Sequence, residues 1–173
     1  ATVAPASPGA GTPTGTVVFN FGDGSSLVTA TLASGSATVT RPYTSRSSGL
    51  YTVTATYTGS TSFAGSSGTD PHTVNRALTT TTLVSSPDPS RPGQPFTLTA
   101  TVTPVAPGAG TATGSVTFTI ANRSSVSSPL VNGSATTAVN VPLHVGTHPI
   151  TAAYPGSADF AGSTGTDTHT VTP

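Results

Sequence analysis

Short runs of apolar residues alternate one for one with threonine or serine along this chain, and clusters of proline and glycine separate the runs. A period of two places every apolar side chain on one face of an extended strand and every hydroxyl on the other. The clearest run is Phe96–Thr103, with Phe96, Leu98, Ala100 and Val102 on one face and Thr97, Thr99, Thr101 and Thr103 on the other. Ser115–Ile120 turns Val116, Phe118 and Ile120 inward, and Thr52–Thr58 does the same with Val53, Ala55 and Tyr57. Threonine suits this role because it is β-branched and carries a solvating hydroxyl. No stretch has the period of an amphipathic helix.

The second half parses into a full set of strands. Thr79–Ser85 comes first and is stopped by the Pro-rich turn Ser86–Pro95; Phe96–Thr103 follows. The loop Pro104–Thr113 cannot serve as a central strand because of its prolines and glycines. After Ser115–Ile120, the polar stretch Ala121–Ser128 leads to a short edge strand near Pro129–Val131. Asn132-Gly133 is a hairpin signal, since both residues tolerate the positive φ of a type I′ turn. Ser134–Val141, His148–Tyr154 and Thr166–Thr172 complete the set. About seven short strands in about a hundred residues is the arithmetic of an immunoglobulin-like sandwich.

The chain contains this unit twice. ATVAPASPGAGTPTGTVVF at Ala1–Phe19 returns as ATVTPVAPGAGTATGSVTF at Ala100–Phe118, and YTGSTSFAGSSGTDPHTV at Tyr57–Val74 returns as YPGSADFAGSTGTDTHTV at Tyr154–Val171. A repeat this long closes its own core. The fold class is therefore all-β, two tandem immunoglobulin-like β-sandwich domains, over residues 1–76 and 77–173. The first lacks its N-terminal strands, because nothing before Ala1 corresponds to Leu78–Thr99. Two explanations stay open: the chain was cut from a longer array, or a strand from a neighbouring molecule fills the gap and builds a head-to-tail fibre. Against the fibre, Pro173 follows the last strand at once and leaves no spare donor segment. The short link Val74–Leu78 favours an extended rod.

Composition narrows the partners. The charged fraction is 6%, the formal net charge is zero, and Lys and Glu are absent. Five scattered arginines cannot neutralise a run of phosphates, which argues against nucleic acid and anionic membrane. No apolar run reaches the roughly 20 residues of a membrane span, and no signal peptide is visible, so the chain reads as mature or excised material. Without Cys there is no disulfide and no thiolate metal site.

Candidate chemistry is sparse. Asp70/His72 and Asp167/His169 form a D-x-H pair on the last strand of each copy, on one face by alternation. No G-x-S-x-G elbow accompanies them, so a structural Asp–His hydrogen bond or a turn fits better than a catalytic triad, and no enzyme activity is expected. A metal held by Asp70 and His72, or by Asp159, Asp167 and His169, would need further ligands, and no metal or cofactor is expected. Isopeptide cross-links require Lys, and Gln94 is the sole partner for an ester. Asn122-Arg123-Ser124 and Asn132-Gly133-Ser134 match the glycosylation sequon. The loop RPYTSRSSG, with Arg41, Tyr43 and Arg46, is the candidate contact loop, and it has no equivalent in the second copy.

APGAGTATGSVTF, a corner glycine, and ITAAYPGSADFAGSTGT together resemble the bacterial Ig-like domain repeat, of the group 3 (Big_3) type, found in large surface and secreted proteins. The resemblance covers all of the second copy and nearly all of the first. It departs where the family's acidic residue after Tyr-x-Gly is replaced by Ser60 and Ser157. Gly49-Leu50-Tyr51 resembles a tyrosine corner, while the second copy has Gly146-Thr147-His148, so the feature is not shared. The resemblance implies a non-catalytic extracellular or cell-surface module, a spacer or fibre segment whose partners are neighbouring repeats or copies of itself. The alternative is an adhesin that binds a surface glycan or a protein through the loops at one end of each sandwich.

Overall fold

The computed structural model describes residues 1–43, 48–121 and 124–173, and all regular structure among them is strand. The chain divides into two compact units, Ala1–Asn75 and Arg76–Pro173, each with its own core.

Unit 1 is a single four-stranded sheet. Its strands are β1 (Thr16–Asn20), β2 (Val28–Thr31), β3 (Gly49–Tyr57) and β4 (Ser66–Val74), in the order β2-β1-β3-β4. All neighbours are antiparallel, and the β3–β4 ladder runs from Gly49↔Val74 to Tyr57↔Ser66. Where a second sheet would begin there is one bridge, Thr2↔Ser36, flanked by Val3 N–H donating to Gly35 O (2.8 Å).

Unit 2 has both layers. Strands β5 (Thr79–Ser86), β6 (Phe96–Pro104) and β9 (Ser134–Val139) make one sheet, ordered β5-β6-β9. Strands β7 (Ser115–Ile120), β8 (Ser124–Pro129), β10 (Gly146–Tyr154) and β11 (Ser163–Val171) make the other, ordered β11-β10-β7-β8. The inward faces predicted from alternation meet between them: Leu98, Ala100, Val116, Phe118, Ile150 and Ala152 are sealed from solvent. Burial of such side chains contributes about 1.5–3 kcal/mol each for the larger ones, and supplies most of the drive to close the sandwich.

One strand differs from the sequence reading. β8 is Ser124–Pro129 rather than a segment near Pro129–Val131. It pairs along β7 at the sheet edge, Phe118↔Val126 at its middle, with Val126 left 43% exposed. An edge strand with no buried face leaves no alternation to read. Val131 instead bridges Ser134 across the predicted turn, where Asn132 (φ 51°) and Gly133 (φ 78°) take the expected left-handed conformation. Ser34 and Gly35 repeat that turn in unit 1, with φ of 51° and 78°.

A buried tyrosine pins each unit. Tyr57 O–H donates to Thr14 O, and Tyr154 O–H to Thr113 O, both at 2.8 Å. Sequence reasoning marked Tyr51 as a corner and passed over this pair. The tyrosine that reaches upstream backbone lies at the end of the long strand, and both copies have it. Burial explains the choice, since Tyr57 and Tyr154 are each 2% exposed and need a partner for the phenol.

Candidate functional site

Arg41 and Tyr43 are part of the wall of unit 1. Arg41 Nη2 donates to Asp23 Oδ2 at 3.0 Å, and its guanidinium lies 5.6 Å from the centre of the Phe21 ring, a cation–π distance. Asp23 also accepts from the Ser25 hydroxyl and from Ser25 N–H (2.9 Å). The Ser25 hydroxyl above all, then the Ser25 backbone and Arg41, outweigh burial and hold the Asp23 carboxyl well below the usual carboxylate range. Tyr43 stacks on His72 (centroids 5.0 Å) and tilts over Tyr51 (5.5 Å). Burial, helped by the charge of Asp23, pushes the Tyr43 phenol above its ordinary value. Arg46 and the sequon asparagine Asn122 lie outside the described residues.

The D-x-H pair of unit 2 does share one face of β11, and that face grips the start of the unit. Ser85 N–H and Oγ–H both donate to Asp167 Oδ2 (2.9 and 3.0 Å). His169, fully buried, has Nε2 2.8 Å from Ser90 Oγ and its ring flat on Phe96. Thus each member of the pair bonds a residue of the opening segment, where the sequence suggested an Asp–His hydrogen bond or a turn. The grip continues along the seam. Thr79 Oγ1 and Thr81 Oγ1 each lie 2.7 Å from Ser163 Oγ, and Thr79 Oγ1–H also donates to Ala161 O. Backbone bridges close both ends, Ala77↔Phe160 and Ser90↔Val171, and both are parallel.

Asp88, Ser90 and His169 have the residue types of a hydrolytic triad, with Ser90 and His169 enclosed in unit 2. His169 Nδ1 is 3.6 Å from Asp88 Oδ1, beyond hydrogen-bonding distance, and has no partner among the described residues. Ser90 is 3% exposed, and its backbone N–H and C=O are both used, donating to Thr170 O and accepting from Thr172 N–H. Burial pushes the His169 imidazole below its ordinary value, more than Asp88 raises it. Among the described residues no three His, Asp or Glu side chains gather as a metal site.

Unit 1 keeps the acceptor face of this seam without its cover. Ser66, Gly68, Asp70 and His72 on β4 correspond to Ser163, Gly165, Asp167 and His169 on β11, and all four are exposed. A Cβ at Gly165 would sit 2.5 Å from Thr81 O, whereas one at Gly68 would meet nothing within 4 Å. Val53 and Ala55 are half-buried, where their counterparts Ile150 and Ala152 are sealed. The result is an open groove of about 460 Å³, floored by Val17, Phe19, Val53, Ala55 and Tyr57 and edged by Ser66–Asp70. Sequence reasoning located the gap, but it could not show that the acceptor side chains stand intact around it.

Two like units of antiparallel strands, one a closed two-sheet sandwich with a tyrosine pin, define an immunoglobulin-like repeat protein. The model of the family Bacterial Ig-like domain (group 3) matches residues 1–75 and again 83–172, and the chain belongs to that family. Comparison with curated proteins gave no match. Domains of this family generally serve as non-catalytic structural modules and typically occur in surface or secreted proteins. Among the described residues no helix is long and apolar enough to cross a membrane.

Proposed function

We propose that the chain is a load-bearing spacer segment of a bacterial surface or secreted repeat protein. One observation carries this reading: in unit 2 the opening segment and the last strand lie side by side and run parallel, bridged at Ala77↔Phe160 and Ser90↔Val171. Tension applied through the two ends of the unit pulls these segments in opposite directions along their length. The bridges, and the bonds of Ser163 and Asp167 between them, are then loaded together in shear instead of being opened one at a time. Forced unfolding is governed by the unfolding rate, so a seam that must break as a whole raises the resistance. The sheet faces turned to water carry mainly threonine and serine hydroxyls.

The test is single-molecule stretching of the full chain. A discrete high-force event with the length gain of unit 2 is expected. Asp167→Ala, which removes two seam bonds, should lower that force. Smooth extension of unit 2 with no resolved event would exclude a load-bearing role.

A further inference from the structure

The two units close the same end of the fold with different side chains. The link that leads to the corner glycine carries Arg41-Pro42-Tyr43 in unit 1 and Val141-Pro142-Leu143 in unit 2. In unit 1 the two long side chains fold over that end. The Arg41 guanidinium lies 5.6 Å from the centre of the Phe21 ring, and the rings of Tyr43 and Tyr51 are 5.5 Å apart. By the repeat, Ile120 holds the place of Phe21. His148 holds that of Tyr51, since it pairs with His169 as Tyr51 pairs with His72. Valine and leucine are too short to repeat this cover, and a pocket of about 410 Å³ lies there, with Ile120, Ser124, Val141, Leu143 and His148 in its wall. The whole wall falls between Ile120 and Pro149, in the interior of the chain. Its volume is within the range of about 300–1,000 Å³ usual for small-molecule sites.

We propose that this pocket is a binding site for a phenol, a planar aromatic ring that bears a hydroxyl. The internal repeat argues for the ring, because unit 1 covers the equivalent place with a phenol of its own, Tyr43 over Tyr51. In unit 2 the ligand's ring takes that position beside the His148 imidazole, with Ile120, Val141 and Leu143 as apolar wall. The polar groups argue for the hydroxyl. His148 Nε2–H donates to His144 O (2.7 Å), so in the uncharged ring Nδ1 is left as an acceptor. The Ser124 hydroxyl can donate or accept. Among the described residues the wall holds no carboxylate and no guanidinium. A charged ligand would therefore lose its hydration there without gaining an ion pair.

The experiment titrates p-cresol into the full chain and follows amide and imidazole resonances by NMR. Saturable shifts centred on Ala121, Leu143 and His148 are expected, with a dissociation constant on the order of 1 mM. Toluene, which lacks the hydroxyl, should bind about threefold or more weakly, and His148→Phe should remove that difference. Val141→Trp, at a residue 41% exposed, places a bulky ring in the wall and should abolish saturation with an unchanged urea midpoint. Should that variant unfold earlier, toluene and His148→Phe decide the matter alone. N-acetyltyrosinamide separates the two sources of a phenol. Binding equal to that of p-cresol assigns the ring to a tyrosine of a partner protein, and its exclusion assigns it to a free small molecule. Shifts that do not saturate, shifts centred on unit 1, equal affinity for toluene, or undiminished binding by a folded Val141→Trp variant would overturn the proposal.

Discussion

His169 lies flat against Phe96, with ring centroids 3.7 Å apart and planes 9° from parallel. With Ser90 at Nε2, the imidazole is enclosed. Burial dominates its lowered pKa; Asp88 and Asp167 favour the proton and His148 opposes it. As pH falls through the ordinary value of 6.5, the unfolded chain takes up a proton at this residue before the native chain does. Stability is therefore full above that pH and is lost progressively below it. The urea midpoint of unit 2, followed by amide exchange in β11, should drop between about pH 7 and pH 5, and His169→Gln should flatten the profile. A wild-type midpoint constant over that range would contradict the lowered pKa of the buried ring.

Ser90→Ala removes the partner of a buried ring nitrogen and leaves both nitrogens of His169 unpaired. The expected loss is about 1–3 kcal/mol in unit 2, with none in unit 1, measured by chemical denaturation with residue-resolved exchange.

Gly165→Ala and Gly68→Ala make the same chemical change at equivalent places. In unit 2 the new methyl is forced to within 2.5 Å of Thr81 O, a backbone atom with little room to move. It should cost about 1–3 kcal/mol. In unit 1 the change should stay within about 0.5 kcal/mol, and equal losses at both sites would mean that β4 is covered in solution.

Ile150→Ala should destabilise unit 2 by about 2–5 kcal/mol, because Ile150 is fully buried and its loss leaves a cavity. Its counterpart Val53 faces the open groove, and Val53→Ala should cost about 1 kcal/mol or less. Thermal or urea unfolding of the two variants reads the difference directly.

Tyr57→Phe and Tyr154→Phe each delete one hydrogen bond to upstream backbone and preserve the ring. Each should cost its own unit about 1 kcal/mol in denaturation, in keeping with a neutral hydrogen bond.

Much of this architecture was legible in the sequence because period-two alternation is local. The inward sets Phe96–Val102 and Val116–Ile120 and the Asn132-Gly133 turn need only neighbouring residues to be recognised. Edge strand β8 escaped notice because it buries nothing on either face. That Tyr57 and Tyr154 bond upstream backbone depends on where each phenol ends in the core, which alternation along one strand does not decide. Ser90 meets His169 across 79 residues, and Asp23 meets Arg41 across 18, and neither spacing carries a signal of its own. The clue that was present is that D-x-H occurs in both copies while the segment it grips occurs once.

The seam also sets an order of events during synthesis. Thr79 finds Ser163 84 residues downstream, so the strand that closes the sandwich leaves the ribosome first and its acceptor last. The β10–β11 hairpin, by contrast, closes over a short loop, with Tyr154 opposite Ser163. Local pairing forms early and the most distant contacts form late. Each newly made repeat of this kind thus passes through an interval with a finished sheet, an unfilled edge and an unplaced leading strand, and completion of the fold is the step in which the nascent chain's two ends are joined.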